Sequence, residues 1–301
     1  MPDFDVIGMG VAVRDVTVLL EAFPSPDEKY RAKGFFESSG GPVPTALVTL
    51  ARLGRRVAFR GVVGADPVGG FILQDLIREG VDVERVVRRQ DLPAPSSVIL
   101  VESGRRTIFE GFQTDLPLDV DDILPLPACR YFLVDARLPE VQTEIARRVR
   151  DSGGGVVLDC GHPRPGVDDM LSHTDVAIFS HTYPRALHGD GQDPARFVNE
   201  LHAKLPDGHH RIAGLTLGPE GCVIHSLDSS TLWIPGHKVD AVDTTGAGDV
   251  FHGAFIHALL ADETPERAAR FANAAAALKC RGMTGRAPIP LEKEIRELAG
   301  I

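Results

Sequence analysis

Cysteine is scarce and scattered in the 301-residue sequence: Cys129, Cys160, Cys222 and Cys280 stand far apart. That spacing excludes a disulfide framework and a CxxC metal site, and predicts a reducing, cytoplasmic setting. No apolar run reaches the roughly 18 residues of a membrane span. The start, MPDFDVIGMGVAV, carries acids where an export signal carries bases. Neither export nor a membrane partner is expected. A basic block is also missing, since 32 Lys and Arg stand against 42 Asp and Glu for a formal net charge of −10. Nucleic acid is therefore not an expected partner, although a local cationic pocket for a small anion fits that balance. There is no internal repeat, no Walker GxxxxGK[ST] and no HExxH, and GMG at 8–10 lacks the third glycine of a dinucleotide fingerprint. His209 and His210 read as an exposed turn, and His252 and His257 as packing or surface histidines, so a protein zinc site is not expected.

What remains is an ordinary globular composition, 43% hydrophobic and 25% charged, with alternating element types. The run VAFRGVV (57–63) reads as a strand. After it, Asp66 caps a helix with Pro67 at its first position, Phe71, Ile72, Leu76 and Ile77 on one face, and Gly80 at its end. Further strands are read at 131–136, 155–159, 175–179 and 212–217, most of them followed by helical periodicity. Such βαβ alternation predicts an α/β fold, a mainly parallel sheet with helices on both faces and ligands beyond the carboxyl ends of its strands. Two segments break the alternation. Residues 11–39 and about 96–112 alternate apolar with polar side chains and turn at Pro/Asp and Ser-Gly, as antiparallel hairpins do. They predict a small β-flap beside the main sheet. No Pro/Gly/Ser linker divides the chain, so residues 1–301 are expected to form one domain with this flap inserted as a lid.

The sharpest motif is VDTTGAGDVFHGAFIHALL, 242–260. Val250, Phe251, Ala254, Phe255, Ala258 and Leu259 recur at helical spacing, so Gly246, Ala247 and Gly248 form the turn that opens a helix. Small residues there let an anion reach the unpaired N–H groups and the positive end of the dipole. Asp249 at the same tip is placed to take a proton from an attacking hydroxyl. A glycine turn with Asp249 as a plain cap is the alternative on local chemistry.

The spacing DTTGAGDxFxGA resembles the C-terminal signature of the phosphofructokinase B (PfkB) family of sugar kinases, and GGPVPTALVTLARLG (40–54) resembles its N-terminal signature. LTLGPEG (215–221) and ANAAAALKCRGMTGRAPIP (272–290) extend the likeness over the whole chain. The resemblance implies a three-layer, ribokinase-like (Rossmann-like) α/β/α fold and ATP-dependent phosphorylation of a sugar hydroxyl. Asp249 would be the general base, and the amides of Gly246, Ala247 and Gly248 the anion hole. It also implies sugar contacts from Asp15, Gly40, Gly41, Thr45 (where many members carry Asn) and Arg106. Thr216, Gly218, Gly221 and Asn273 would face the nucleotide. Within the family the chain looks most like the sulfofructose kinase branch, with ketohexokinase next. That branch holds a sulfonate with cations at positions matching Lys29 and Arg137, but here Glu110 stands where it has an Asn. Either Glu110 pairs with one of these cations and the acceptor is a neutral ketose such as fructose, or the acceptor is an anion such as 6-deoxy-6-sulfofructose. Magnesium is expected with ATP, held by phosphates and water, because residues 180–183 read SHTY where the family's NxxE stands. Asp243 and Thr245 resemble positions beside a monovalent cation, which adds K+ as a further expectation. The unpaired edges of a flap predict a homodimer through the lids. The rival readings are a nucleoside kinase of the same fold, with Phe35, Phe36 and Phe109 as a base platform, and a non-catalytic sugar-binding regulator.

Overall fold

The structure is a computed structural model and describes residues 2–111, 117–208, 210–227 and 229–301. Phe112, at the end of the second flap segment, and His209 lie outside the described residues. In chain order the strands are β1 (Phe4–Met9), β2 (Val13–Leu19), β3 (Gly34–Gly40), β4 (Val57–Arg60), β5 (Val62–Gly64), β6 (Val87–Arg89), β7 (Ser96–Glu102), β8 (Arg105–Glu110), β9 (Cys129–Val134), β10 (Gly155–Cys160), β11 (Val176–Ser180), β12 (Ile212–Thr216), β13 (Gly221–Ser226) and β14 (Ser229–Pro235). The helices are α1 (Pro42–Arg52), α2 (Pro67–Arg78), α3 (Val120–Ile123), α4 (Pro139–Asp151), α5 (Val167–Leu171), α6 (Thr182–His188), α7 (Pro194–Lys204), α8 (Ala247–Leu260), α9 (Pro265–Lys279) and α10 (Glu292–Ala299).

Eight strands form one sheet in the order β14-β13-β12-β11-β10-β9-β1-β4, parallel from β4 to β12 and antiparallel over β13 and β14. Successive strand residues enter opposite cores because side chains alternate across a sheet. Val6, Leu133, Val157 and Ile178 pack with α1, α2, α8 and α9, whereas Ile7, Phe132, Val156 and Ala177 pack with α4, α5 and α7. This is the three-layer α/β/α arrangement. Helix α8 shows more than one apolar stripe, since every residue from Val250 to Leu260 is buried. A helix apolar all round belongs between other helices, and α8 lies between α1 and α9.

The run 57–63 is not one strand. It breaks at Gly61, where a Cβ would meet the Gly10 carbonyl at 2.9 Å and the Phe59 ring at 3.0 Å. Its second half leaves the main sheet and pairs with β6. Helix α2 begins as its sequence says, with Asp66 accepting from the Gly69 N–H at 2.7 Å and Pro67 at the first position. The flap is a separate four-stranded sheet, β3-β2-β7-β8, made of two antiparallel hairpins joined by the parallel β2–β7 pair. Among the described residues no helix is long and apolar enough to cross a membrane.

Candidate active site

Asp15, on β2, turns its carboxylate toward the opening of α1. A Cβ on Gly40 would lie 1.8 Å from Asp15 Oδ2, so only glycine lets the carboxylate fold against that turn. Burial pushes the Asp15 carboxyl up to about 7, the nearby Asp249 and Asp243 push the same way, and Arg286 and a hydrogen bond from Ser97 oppose them. Arg286, only 3% exposed, organises the turn from beneath. Its Nε donates to Thr45 Oγ1 at 3.2 Å, Nη2 to the Gly40 carbonyl at 3.2 Å, and Nη1 to Ser39 Oγ and to Asp75 Oδ2 at 3.4 Å. Burial lowers its pKa to about 10 against the pull of Asp75 and Asp15, which leaves it charged at neutral pH.

The register of the flap sets a polar row across its inner face. Ser38 pairs with Asp15, Asp15 with Ser97, and Ser97 with Glu110, so side chains from four strands share one level. At its end Glu110 accepts from Arg137 Nη2 at 3.2 Å, with Arg137 mostly buried and Glu110 half exposed. The second hairpin is latched to the loop before α8: Arg106 Nη1 donates to Thr244 Oγ1 at 2.7 Å, and Gly104 bridges to Asp243. Lys29 stands elsewhere. It lines an outward depression with Val18, Leu20, Tyr30 and Phe35, and the structure does not bring it to Arg137.

Gly246 caps α8 with φ +75°, and a Cβ there would lie 2.8 Å from the Gly285 carbonyl. Glycine is thus required both by the backbone and by the loop packed on it. The Ala247 N–H bonds to the Thr244 carbonyl at 3.2 Å, whereas no backbone bond among the described residues uses the N–H of Gly246, Gly248 or Asp249. Asp249 sits half-buried at this helix start. Burial raises its pKa, and His252, Arg106, Arg286 and Arg137 pull it back. His252 is not a bystander of packing: its ring nitrogens reach the Gly248 carbonyl at 2.8 Å and the Ile178 carbonyl at 3.0 Å, and Nδ1 lies 3.3 Å from Asp159. The turn that opens α8 is therefore tied to β10 and β11. Asp159, mostly buried, is itself held above the ordinary carboxylate range by desolvation, with His252 opposing. His257, by contrast, is buried packing against Phe271.

Of the residues that the resemblance gives to the nucleotide, Thr216 ends β12, Gly218 (φ +61°) opens a short 3-10 turn and Gly221 (φ +103°) starts β13. Asn273 is buried on α9 and donates to the Ile234 and Pro235 carbonyls at 3.2 and 3.4 Å, tying α9 to β14. Ser180 and Thr182 of the SHTY turn bond to each other, and Thr182 also to the Gly161 carbonyl. Among the described residues no group of three or more His, Cys, Asp or Glu is arranged to hold a metal. The Asp243 carboxylate is spent on the amides of Thr245 (2.8 Å) and Thr284 (2.9 Å).

The site thus gathers half-buried carboxylates, a glycine helix start and a covering β-flap at the carboxyl ends of a parallel sheet, and the model of pfkB family carbohydrate kinases matches residues 4–292. The chain belongs to that family. It is 26% identical over 300 residues to a ribokinase of Haemophilus influenzae, covering 96% of both chains. It is also 26% identical over 305 residues to a ketohexokinase of Mus musculus, covering 95% of this chain and 98% of that one. The fold matches the Arabidopsis thaliana ribokinase complexed with ribose and ATP at a TM-score of 0.81, with 22% identity over 99% of each chain. As a pfkB kinase, the protein is an ATP-dependent carbohydrate kinase, a phosphotransferase acting on a sugar or nucleoside alcohol.

Sequence reasoning passed over Arg286, Asp75, Lys279 and the His252–Asp159 pair. Arg286 was findable: it is the lone cation in MTGRAPIP, a loop the family likeness already marks. His252 and Asp159 carry no shared motif and meet only because β10 ends beneath α8.

Proposed function

We propose that this kinase phosphorylates a primary hydroxyl of a neutral ketose, fructose or a close relative. The observation that carries this reading is the Arg137–Glu110 pair at 3.2 Å. A cation already neutralised by a carboxylate is a poor sulfonate site, and an added anion beside Glu110 would meet repulsion of about 1–4 kcal/mol at surface-like dielectric. A polyol suits the row of Asp15, Ser97, Ser38 and Glu110, whose oxygens match hydroxyl donors. Against a nucleoside acceptor, Phe35 and Phe109 lie on the outward face of the lid, 72% and 55% exposed, and only Phe36 shares the inner face with Thr17. A stacking platform for a base is then one ring short.

In this reading Asp15 and the Gly40–Gly41 turn orient the sugar, with Arg286 holding the turn and Thr45 in place. Asp249 accepts the proton of the attacking hydroxyl, while the free amides of Gly246 and Gly248 and the Arg106 guanidinium stabilise charge on the transferring group. ATP lies along Thr216, Gly218, Gly221 and Asn273 at the middle of α9. Magnesium arrives as the nucleotide's complex, since the Ser180 and Thr182 hydroxyls are already bonded and no acid cluster is offered among the described residues. The latch from Gly104 and Arg106 to the loop before α8 excludes water from the reacting centre.

Turnover measured as ADP release across fructose, 6-deoxy-6-sulfofructose, fructose 6-phosphate, tagatose 6-phosphate, ribose, 2-keto-3-deoxygluconate and adenosine checks the acceptor. The neutral ketose should give the highest kcat/KM, and Glu110→Gln should move selectivity toward the sulfonated ketose by removing the carboxylate that an added anion would meet. Highest turnover on the sulfonated ketose by the unaltered enzyme would overturn the reading, and highest turnover on adenosine would restore the nucleoside kinase.

The outward face of the lid supports a homodimer. Val98 (43% exposed), Phe35 and Phe109 form an apolar face across three strands on a sheet with two open edges. Sedimentation should give about twice the 32.4 kDa chain mass, and the double variant Phe35→Ser, Phe109→Ser should sediment as one chain. A monomeric parent protein would rule this out. The scattered, unpaired cysteines suit a cytoplasmic enzyme.

A further inference from the structure

Lys279 ends α9, and its side chain is fully buried. The ammonium donates to the Asp243 backbone carbonyl at 2.8 Å, and among the described residues no carboxylate lies within ion-pairing distance of it. Burying an ammonium without a paired carboxylate costs several kcal/mol, so this residue is held at a structural expense. Burial lowers its pKa, while the fields of Asp243, Cys280 and Asp249 raise it again. The place it occupies is a junction. Asp243 accepts the lid's Gly104 as a bridge partner, its carboxylate takes the Thr245 and Thr284 amides, and its own N–H and that of Val242 bond to the Cys280 carbonyl. Three residues further on, Gly246 opens α8.

A monovalent ion beside Asp243 and Thr245 needs free oxygens and no cation in its way. Each Asp243 carboxylate oxygen already accepts a backbone amide, and its carbonyl carries the ammonium. Among the described residues, the one buried side-chain oxygen without a hydrogen-bond partner is Thr245 Oγ1. These residues do not fit a potassium ion. We propose instead that the Lys279 ammonium is the built-in cation of the anion-hole loop. It fixes the Asp243 carbonyl and sets a positive charge beneath the Gly246–Gly248 turn, so that the kinase works without an added monovalent cation. Lys279 is a positioning residue here, acting through Asp243 and the turn that follows it.

This inference rests on the kinase class and not on the choice of sugar. ADP release is measured at constant ionic strength with tetramethylammonium, Na+, K+ or Cs+ as the only monovalent cation. The wild-type rate should agree within about twofold across the series. Lys279→Ala should lose on the order of 10²-fold in tetramethylammonium and recover with saturation on adding K+, ammonium or methylammonium. Lys279→Met, which fills the same channel with an uncharged stem, should lose activity without recovering. Several-fold activation of the wild type by K+ would overturn the proposal. So would a Lys279→Ala protein that melts like wild type and is either unimpaired or rescued by no cation. If neither variant folds, the wild-type series decides by itself. If no sugar in the panel is turned over, the melting-temperature gain on adding Mg-ATP is compared across the same cations: equal gains support the built-in cation, and a gain that appears only with K+ overturns it.

Discussion

Asp249→Asn should reduce kcat roughly 10²–10⁴-fold, the range for loss of a positioned general base, with KM for ATP and sugar little changed. Asn keeps the shape and a hydrogen-bonding oxygen but cannot take the proton. Because the amides of the α8 start remain, the loss should fall on the chemical step and not on binding. The pH profile separates this role from a structural one. Burial holds the Asp249 carboxyl above its ordinary range, so the acid limb of kcat/KM should lie at a higher pH than a solvated aspartate would give. Arg106 is one of the cations that pull it down, so Arg106→Ala should move that limb to still higher pH while also lowering kcat. Stopped or quenched-flow turnover across pH checks both. An Asp249→Asn enzyme with wild-type kcat, or an acid limb that Arg106→Ala leaves in place, would remove Asp249 from the reaction as its base.

The site was unevenly legible in the sequence, and the reasons are physical. The start of α8 could be read because its constraints are local: a φ of +75° at Gly246, a turn of small residues and an acid in the first helical turn all fall within seven positions. The lid was legible for the same reason, as period-2 alternation over 11–39 and 96–112 reports directly on a sheet with one buried face. The strand break at Gly61 was not, because it depends on the Gly10 carbonyl approaching from another strand. Arg286 reaches Ser39, Gly40, Thr45 and Asp75 across more than two hundred residues, and Lys279 meets Asp243 only through the packing of α9 on α8. Buried cations look like surface cations in a sequence, since only tertiary contacts distinguish them. Asn273 is likewise held by tertiary contacts, its amide nitrogen donating to two carbonyls of β14.

Asp15→Asn should weaken sugar binding and stabilise the free protein, two effects with one cause. A carboxylate accepting from sugar hydroxyls is worth about 1.5–3 kcal/mol per charge-assisted bond, so KM for the sugar should rise roughly 10–100-fold, with kcat less affected. In the free protein the same carboxylate is a liability. Its pKa is pushed from 3.8 up to about 7 by burial and by Asp249, so folding favours the protonated form. Stability tied to this group is complete below pH 4, where both folded and unfolded chains hold the proton. It is lost progressively as the pH rises to about 7, where the folded carboxyl ionises as well. The full shift corresponds to about 4 kcal/mol. Removing the charge should raise the melting temperature by several degrees at pH 8 and by clearly less at pH 5, at roughly 2 °C per kcal/mol for a chain of this size. Sugar should narrow the gap between the two proteins at pH 8, because only wild type regains by binding what it loses by ionising Asp15. Equal melting temperatures at both pH values would mean that Asp15 is solvated in the free enzyme. An unchanged KM alongside a stabilised fold would leave it a strained lid residue that the sugar does not touch.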